Sequence, residues 1–371
     1  MKIGLVLDDG LDRNDGVQQY VKSLGAWLSS QGHFVHYLVG QTKTDDKSIH
    51  SLSRNVGVRF NRNRLSVPLP ANKQAIKELL AQQKFDILHV QMPYSPFMAG
   101  KVIKYALPST AVVGTFHVVP YGRVQTHGSR VLGQLQKLSL KRFDAICSVS
   151  TAAEAFAMAQ FGIRSSIMPN MINLDKFTSK AVEKPGRIVF LGRLVPRKGC
   201  DRLLQAITQL PASLQAKTEV IIAGDGPDRP KLEKFVKKHD LTNVHFLGYI
   251  DEIAKSDLLA SAQLAVFPAL GGESFGIVLI EAMAAGAGVV LGGDNIGYRS
   301  VLAQWPQTIF NPRDTKGFSK RLELFLMDDK LRVSIHAEQQ NAVKRYDTSV
   351  VGADIIKLYN KALLHRRADV S

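Results

Sequence analysis

The sequence predicts an α/β chain of two Rossmann-like, doubly wound domains, and three observations carry that expectation. The first is length: 371 residues suit two domains that each bury a core of their own. The second is pattern. Short, nearly continuous runs of Ile, Leu and Val alternate with amphipathic stretches of helical period, as a parallel sheet covered on both faces requires. The third is a restart. The alternation lapses into a polar, uneven stretch at 179–186 and then begins again. That stretch reads as a linker between an N-terminal domain over 1–178 and a C-terminal domain over 187–349.

In the first domain, residues 2–7 read as a strand, 8–15 as a loop and 16–30 as a helix. The helix places Val17, Tyr20, Val21, Leu24, Trp27 and Leu28 on one apolar face. Residues 34–39 form the next strand. A basic loop containing Pro68 and Pro70 leads to a helix over 73–83. Residues 85–91 and 111–117 read as buried parallel strands with polar ends. Doubly wound sheets bind ligands at such ends, so His117 is well placed, whereas His89 lies inside its strand and reads as structural. A strand over 143–149 and a helix over 151–161 follow, and then the turn Met168-Pro169-Asn170.

The second domain opens with a strand over 187–192 and a helix over 201–210. Arg193 and Lys198 lie beyond that strand and before that helix, where both can reach one diphosphate. A strand over 220–223 enters the turn Gly224-Asp225-Gly226-Pro227, and 244–250 is a further strand and turn. The most informative stretch is 271–288, after a strand over 264–267 that Pro268 ends. A glycine-rich turn there leads into a helix over 276–285, stopped by Gly286. Backbone amides at 275–277 and the positive end of the helix dipole favour an anion. Glu273 sits in the turn and Glu281 in the helix. A carboxylate in an apolar helix is costly to bury without a partner, and sugar hydroxyls can donate to it. One glutamate therefore suits a ribose and the other a hexose. Taken alone, the two glutamates better suit a surface loop with one exposed and one salt-bridged carboxylate; the glycines, the helix start and the flanking strand turn the balance to a binding site. A short strand over 288–291 follows, and helices run to the end.

Composition narrows the class. Apolar content of 45% is that of a globular protein, and no apolar run reaches the ~18 residues of a membrane span. The chain enters its first strand directly, so no signal peptide is expected. Cys147 and Cys200 fall in different expected domains, which argues for a reducing compartment and against a structural disulfide. No Cys/His spacing suggests a metal. The net charge of +16 is uneven: residues 1–180 carry 22 Lys and Arg against 11 Asp and Glu. Between Asp86 and Asp144 there is no acidic residue, while Lys101, Lys104, Arg123, Arg130, Lys137, Lys141 and Arg142 lie there. Arg54, Arg59, Arg62, Arg64, Lys73, Lys77 and Lys84 precede them with Glu78 alone opposing. Such a field attracts anionic lipid, nucleic acid or a phosphorylated substrate, and equally describes a plain solvated basic face.

The string G-G-E-S-F-G-I-V-L-I-E-A-M-A-A-G at 271–286 resembles the signature of the retaining glycosyltransferases of family 4, which have the GT-B fold. It is most similar to the phosphatidylinositol mannosyltransferases of actinobacterial type. Gly16-Val17-Gln18, Phe116-His117, Pro169-Asn170, Gly192-Arg193 with Lys198-Gly199, and Arg345-Tyr346 extend the resemblance over nearly the whole chain. It implies two Rossmann-like domains facing across a cleft, with a C-terminal helix over 350–371 packing back on the first. The donor, a nucleoside-diphosphate sugar expected to be GDP-mannose, would sit on the second domain and the acceptor on the first.

The resemblance also implies roles. His117 would contact the transferred sugar, Arg193 and Lys198 the departing diphosphate, and Glu273 the hexose. Gly16, Gly224, Ile250, Lys255, Ser274, Phe275, Gly276, Ile277 and Glu281 would bind the rest of the donor, Glu281 through the ribose. Asp9, Asp15 and Gln18 would face the acceptor. Transfer would proceed with retention, the leaving phosphate helping to take the acceptor proton. No protein-bound cofactor or metal is required, and Mg²⁺ is compatible. The implied partners are the nucleotide sugar and an anionic lipid or phosphorylated acceptor at an anionic membrane surface. No nucleic acid is implied. The implied location is cytoplasmic, peripheral on the inner face of the plasma membrane. Three places depart from the family pattern, one of them Thr348, which stands where tryptophan or a similar residue is common. Asp15 replaces a glycine, and the 73–83 helix carries only Lys73 and Lys77 where the mannosyltransferases are strongly basic.

Rival readings are a family 4 enzyme using a UDP-sugar and a soluble or other glycan acceptor, and a nucleotide-sugar epimerase on the same fold. The epimerase would have no use for a basic first domain. A nucleic-acid-binding protein would explain the charge but not Arg193, Lys198, Glu273 and Glu281 together.

Overall fold

The computed structural model describes residues 1–12, 16–44, 46–60, 63–68, 71–93, 95–117, 139–179 and 181–370, the side chains of 56–60, 63–68 and 370 excepted. The candidate Asp15 and the basic side chains Arg59, Arg62, Arg64, Arg123, Arg130 and Lys137 lie outside that description. The chain divides into two compact units, one of Met1–Met171 with Thr348–Ser371 and one of Ile172–Asp347.

The first unit runs β1 (Lys2–Leu7), α1 (Gly16–Ser30), β2 (Phe34–Val39), β3 (Ile49–Ser51), β4 (Asn55–Phe60), β5 (Asn63–Pro68), α2 (Lys73–Gln83), β6 (Ile87–Gln91), α3 (Met98–Tyr105), β7 (Ala111–Phe116), β8 (Ala145–Ser148), α4 (Thr151–Phe161) and β9 (Ser166–Ile167). Seven strands form one sheet in the order β3-β2-β1-β6-β7-β8-β9, every neighbouring pair parallel. The central strands are buried on both faces, which is why they read as unbroken apolar runs. On one face Ile3, Leu5 and Val113 pack with Tyr20 and Leu24 of α1. On the other, Val6, Val90 and Val112 pack with Ile76 and Leu80 of α2 and Val102 of α3. Asn72 caps α2 by accepting from the amides of Gln74 and Ala75, and Ser150 caps α4 through the amide of Ala153.

Residues 55–68, expected as a basic loop, form an antiparallel hairpin instead, with Asn55 opposite Pro68 and Phe60 opposite Asn63. Val56, Val58 and Phe60 alternate on one strand and Leu65 and Val67 on the other, a strand-period signal that the interleaved arginines obscured. The short edge strand β3 was likewise not expected.

The second unit runs β10 (Lys184–Leu191), α5 (Cys200–Ile207), α6 (Ala212–Gln215), β11 (Glu219–Ala223), α7 (Arg229–Lys238), β12 (Val244–Gly248), α8 (Glu252–Ala260), β13 (Ala262–Phe267), α9 (Ile277–Ala284), β14 (Val289–Gly293), α10 (Ile296–Leu302), β15 (Ile309–Phe310), α11 (Thr315–Met327) and α12 (Asp329–Ala342). Its six strands lie in the order β12-β11-β10-β13-β14-β15, again all parallel. β10 opens at Lys184, inside the polar stretch read as a linker. β15 is a two-residue strand in a region expected to be helical throughout, too short to show a period. The amide of Ile172 donates to the carbonyl of Tyr346 at 3.0 Å, and that of Leu174 to the Asp347 carboxylate at 3.2 Å. The chain's entry to this unit and its exit are thereby tied together. Beyond the exit, α13 (Thr348–Val370) belongs to the first unit, where Val351, Ile355, Leu358 and Tyr359 join its core. Gly352 is required there, since a Cβ would lie 2.4 Å from the Trp27 ring of α1.

Both sheets are doubly wound, as expected, and each has one switch point, where strand order reverses. These lie between β1 and β6 in the first unit and between β10 and β13 in the second. The crevices beyond the C-terminal ends of those strands are where such sheets take ligands.

Candidate active site

At the switch point of the second unit, β10 and β13 each release a loop. The loop after β10 carries Arg193 and then a 3-10 turn, Pro196–Lys198, ended by Gly199 at φ 70°. A Cβ at Gly199 would stand 2.1 Å from the carbonyl oxygen of Pro268, so only glycine lets this turn lie against the end of β13. The amide of Leu270 donates to the carbonyl of Arg197 at 2.8 Å and fixes the two loops together.

That contact brings Glu273 to the cations. Its Oε1 lies 2.5 Å from Arg197 Nη1 and 2.9 Å from Lys198 Nζ, with only 12% of the glutamate side chain exposed. Burial opposes ionisation of Glu273, but Lys198 and then Arg197 outweigh it and hold the carboxyl below its ordinary range. Arg193 is exposed and has no carboxylate partner among the described residues. Gly276 precedes α9 at φ 99° and lends no side chain to the first amides of that helix. Ser274 and Ile277 are half-buried beside it, and Phe275 is buried edge-on against Tyr346. Two cations, an exposed arginine and a helix N-terminus in one pair of loops concentrate positive charge of the kind that suits an anion.

Glu281 occupies the same helix, and its buried carboxylate has a partner: Lys255 of α8, 2.8 Å from Oε1. Lys255 also reaches Glu252 Oε2 at 2.6 Å. Lys255 and Glu281 were both expected to bind the donor, Glu281 through the ribose, and the structure pairs them with each other. Gly224 follows β11 at φ 127°, where a Cβ would meet Gly192 O at 2.0 Å. Its amide donates to Gly248 O at 2.7 Å, so the ends of β10, β11 and β12 meet through glycines. Ile250, half-buried, lies two residues beyond β12.

At the first unit's switch point, Asp9 follows β1. Its Oδ2 accepts from Gln18 Nε2 at 3.0 Å and its Oδ1 from the Gly10 amide at 2.8 Å. Two acceptor-side candidates are thus one hydrogen-bonded pair. Gly16 opens α1 and is exposed. Neighbouring Asp8 points elsewhere, accepting from the Ser95 hydroxyl and the Ala99 amide at the start of α3. His117, one residue beyond β7, donates from Nε2 to Gln91 Oε1 at 2.6 Å and sits edge-on to Tyr20 at 4.8 Å. Burial, helped by His89, pushes its pKa down to about 3, so the ring is neutral at physiological pH. His89 is fully buried, with both ring nitrogens hydrogen-bonded, to Tyr359 and Thr115.

Arg197, Glu252 and Gln91 were not singled out from the sequence. Arg197 adjoins Lys198, and Gln91 ends the strand next to that of His117, so motif adjacency and sheet order were the signals available. Among the described residues, Asp144, His365 and Asp369 stand close enough to share an ion. Arg366 already lies 2.6 Å from Asp144, so these residues do not fit a metal.

Residues 171–342 match the family described as Glycosyl transferases group 1, and residues 14–176 match Glycosyltransferase Family 4. The phosphatidyl-myo-inositol mannosyltransferase of Mycolicibacterium smegmatis is 32% identical over 97% of this chain and 93% of its own. Sucrose-phosphate synthase from Thermosynechococcus elongatus superposes with a TM-score of 0.76 at 17% identity, over 97% of this chain and 99% of its own. HepE from Anabaena, in complex with UDP, superposes with a TM-score of 0.70 at 16% identity, over 96% and 99%. The two structural likenesses speak for the fold, and the sequence match goes further. This protein belongs to the glycosyltransferase family that contains the phosphatidyl-myo-inositol mannosyltransferases, and it is a hexosyltransferase with the GT-B fold.

Proposed function

We propose that the protein transfers mannose from GDP-mannose to phosphatidylinositol, with retention, at an anionic membrane surface on the cytoplasmic side. The observation that carries this is the near-full-length match to a protein named as a phosphatidyl-myo-inositol mannosyltransferase. The donor site would be the switch-point loops of the second unit. Arg193, Lys198 and the amides opening α9 would stabilise the departing diphosphate by preorganised positive charge. Glu273 would orient the hexose: with Oε1 committed to two cations, it is suited to accept from a hydroxyl and ill suited to attack carbon. The leaving phosphate would then take the acceptor proton. Glu281 would hold the ribose, Lys255 and Ile250 would lie near the base, and Gly16 and Gly224 would let the backbone approach the donor. Neutral His117 would contact the sugar, while Asp9, Gln18 and Asp15 would face the acceptor.

A surface feature supports the lipid. Lys73, Lys77 and Lys104 stand 5.7, 5.0 and 5.9 Å from the ring centre of Tyr105, on adjoining helices α2 and α3. Three ammonium groups around one half-buried aromatic make a cationic platform with an apolar centre, fit for anionic headgroups. Among the described residues no helix is long and apolar enough to cross a membrane. The test is transfer from GDP- and UDP-sugars to vesicles with and without phosphatidylinositol, with the anomeric configuration of the product read by NMR. An α-mannosyl lipid formed from GDP-mannose is the expected outcome. Transfer to a soluble glycan from a UDP-sugar would overturn the proposal.

A further inference from the structure

Both cations at Glu273 converge on one oxygen. Arg197 Nη1 and Lys198 Nζ meet Oε1, and among the described residues no hydrogen bond or ion pair reaches Oε2. The scaffold under this contact is rigid. The Arg197 carbonyl is held by the Leu270 amide, and a Cβ at Gly297 of α10 would stand 2.1 Å from the carbonyl oxygen of Glu273. Two cations on one carboxylate oxygen are more than the pair needs. One can leave without stranding a mostly buried charge, and the other cannot then follow.

We propose that Arg197 is the positioning residue of Glu273: it stays on Oε1 while Lys198 is released to the donor diphosphate, which keeps Oε2 directed at the hexose. This rests on the donor-site reading above. The two cations differ in a way that fits the division. Arg197 offers a planar guanidinium, always charged and weakly hydrated, suited to a standing ion pair. Lys198 offers a point charge on a flexible stem, suited to exchanging one oxygen for another. Besides these two, the titratable group that faces Glu273 is Tyr298 of α10. Its phenol is raised well above its usual range by burial and then by Glu273, so it stays neutral.

The test is a binding cycle on the full chain, with GDP and UDP titrated by calorimetry and no sugar present. Lys198→Ala should weaken binding of the diphosphate at least tenfold. Arg197→Gln should also weaken it at least fivefold, because Lys198 then becomes the sole partner of Glu273 and is held back. Adding Glu273→Gln to Arg197→Gln should restore affinity to within about twofold of the wild type, since Lys198 is released again. No recovery in the double variant would overturn the proposal and make Arg197 a direct phosphate ligand. Unchanged affinity in Arg197→Gln would overturn it equally. If Lys198→Ala binds as the wild type does, or the wild type binds neither diphosphate, the donor-site reading itself has failed, a separate result. In turnover, Arg197→Lys should recover part of the loss in kcat seen with Arg197→Gln. Should Arg197→Gln lower the melting temperature, Arg197→Met carries the same cycle.

Discussion

Lys255 Nζ lies 2.8 Å from Glu281 Oε1, and each side chain is about one-tenth exposed. The pair joins α8 to α9 beneath the glycine turn, and Glu252, at the surface, supplies a second oxygen to the same ammonium. Burial pulls the Lys255 pKa down, but Glu281 and Glu252 more than offset it and leave it above its ordinary value. A raised lysine contributes stability that is complete below its unfolded pKa, near ~10.4, and is lost as pH rises through the folded value. The pair therefore acts in full at neutral pH.

Breaking one side of such a pair leaves the other charge buried and unpaired, which costs on the order of 3–5 kcal/mol. Lys255→Met is expected to lower the unfolding free energy in urea by that order. The double change Lys255→Met with Glu281→Leu is expected to lose less than the single. Additive losses would show that the two residues stabilise the fold independently.

The acid side follows from Glu273, whose carboxyl is depressed by Lys198 and Arg197 against the effect of burial. A depressed carboxyl contributes stability above its unfolded pKa, about 4.3, and loses it as pH falls through the folded value. Glu273→Gln should flatten the acid limb of unfolding below that point. In turnover, Glu273→Ala and Lys198→Ala are each expected to lose at least ~10²-fold while keeping wild-type circular dichroism, the scale for one preorganised contact. Near-normal rates in either variant would remove the donor-site assignment.

His117 and His89 set a different pH dependence. Burial pushes both down to about 3; both nitrogens of the neutral His89 ring are hydrogen-bonded, to Tyr359 and Thr115, and Nε2 of His117 is held by Gln91. The unfolded chain takes up these protons near ~6.5, so stability should fall as pH drops from there toward the folded value. His89→Gln should shallow that slope when unfolding is followed from pH 7 to pH 4. Between pH 6 and 9, His117 should contribute no titration to turnover. A pH-rate limb in that range that disappears in His117→Gln would contradict the neutral ring.

Much of this molecule was legible before its coordinates. The bounds of β1, α1, β2, α2 and α4 coincide with the apolar periods that announced them, because buried parallel strands and amphipathic helices write their environment directly into residue order. The hairpin at β4–β5 escaped because its apolar alternation is short and is broken by Gly57, Arg59, Arg64 and Pro68. At the site, Glu273, Lys198, Glu281 and Lys255 stood out, but Arg197 did not, and neither did the pairing of Lys255 with Glu281. Arg197 and Lys255 meet the glutamates across 76 and 26 residues of sequence. Only the juxtaposition of β10 and β13, and of α8 and α9, brings them together. A sequence period reports which face of an element is buried and says nothing of which charge waits on the next one.

The basic face of the first unit yields the remaining prediction. Lys73, Lys77 and Lys104 gather about Tyr105, Glu78 on α2 is engaged by Gln74 at 2.8 Å, and the surrounding sequence from 87 to 143 carries no acid. Each lysine near an anionic leaflet contributes about 1 kcal/mol, and the attraction acts within a Debye length, roughly 8 Å at physiological salt. The protein should therefore co-sediment with vesicles containing anionic lipid, should largely ignore neutral vesicles, and should be released by 0.5 M salt. Changing Lys73, Lys77 and Lys104 together to Gln removes three charges and about 3 kcal/mol of attraction, a loss of roughly 10²-fold in vesicle affinity. Tyr105→Leu, which keeps the charges, should weaken binding only slightly. Turnover with a short-chain, water-soluble phosphatidylinositol should survive the triple change, because these lysines dock the enzyme and do not touch the reacting atoms. Equal binding to neutral and anionic vesicles, or an unaltered affinity in the triple variant, would place the membrane contact elsewhere and leave the three lysines as a solvated surface.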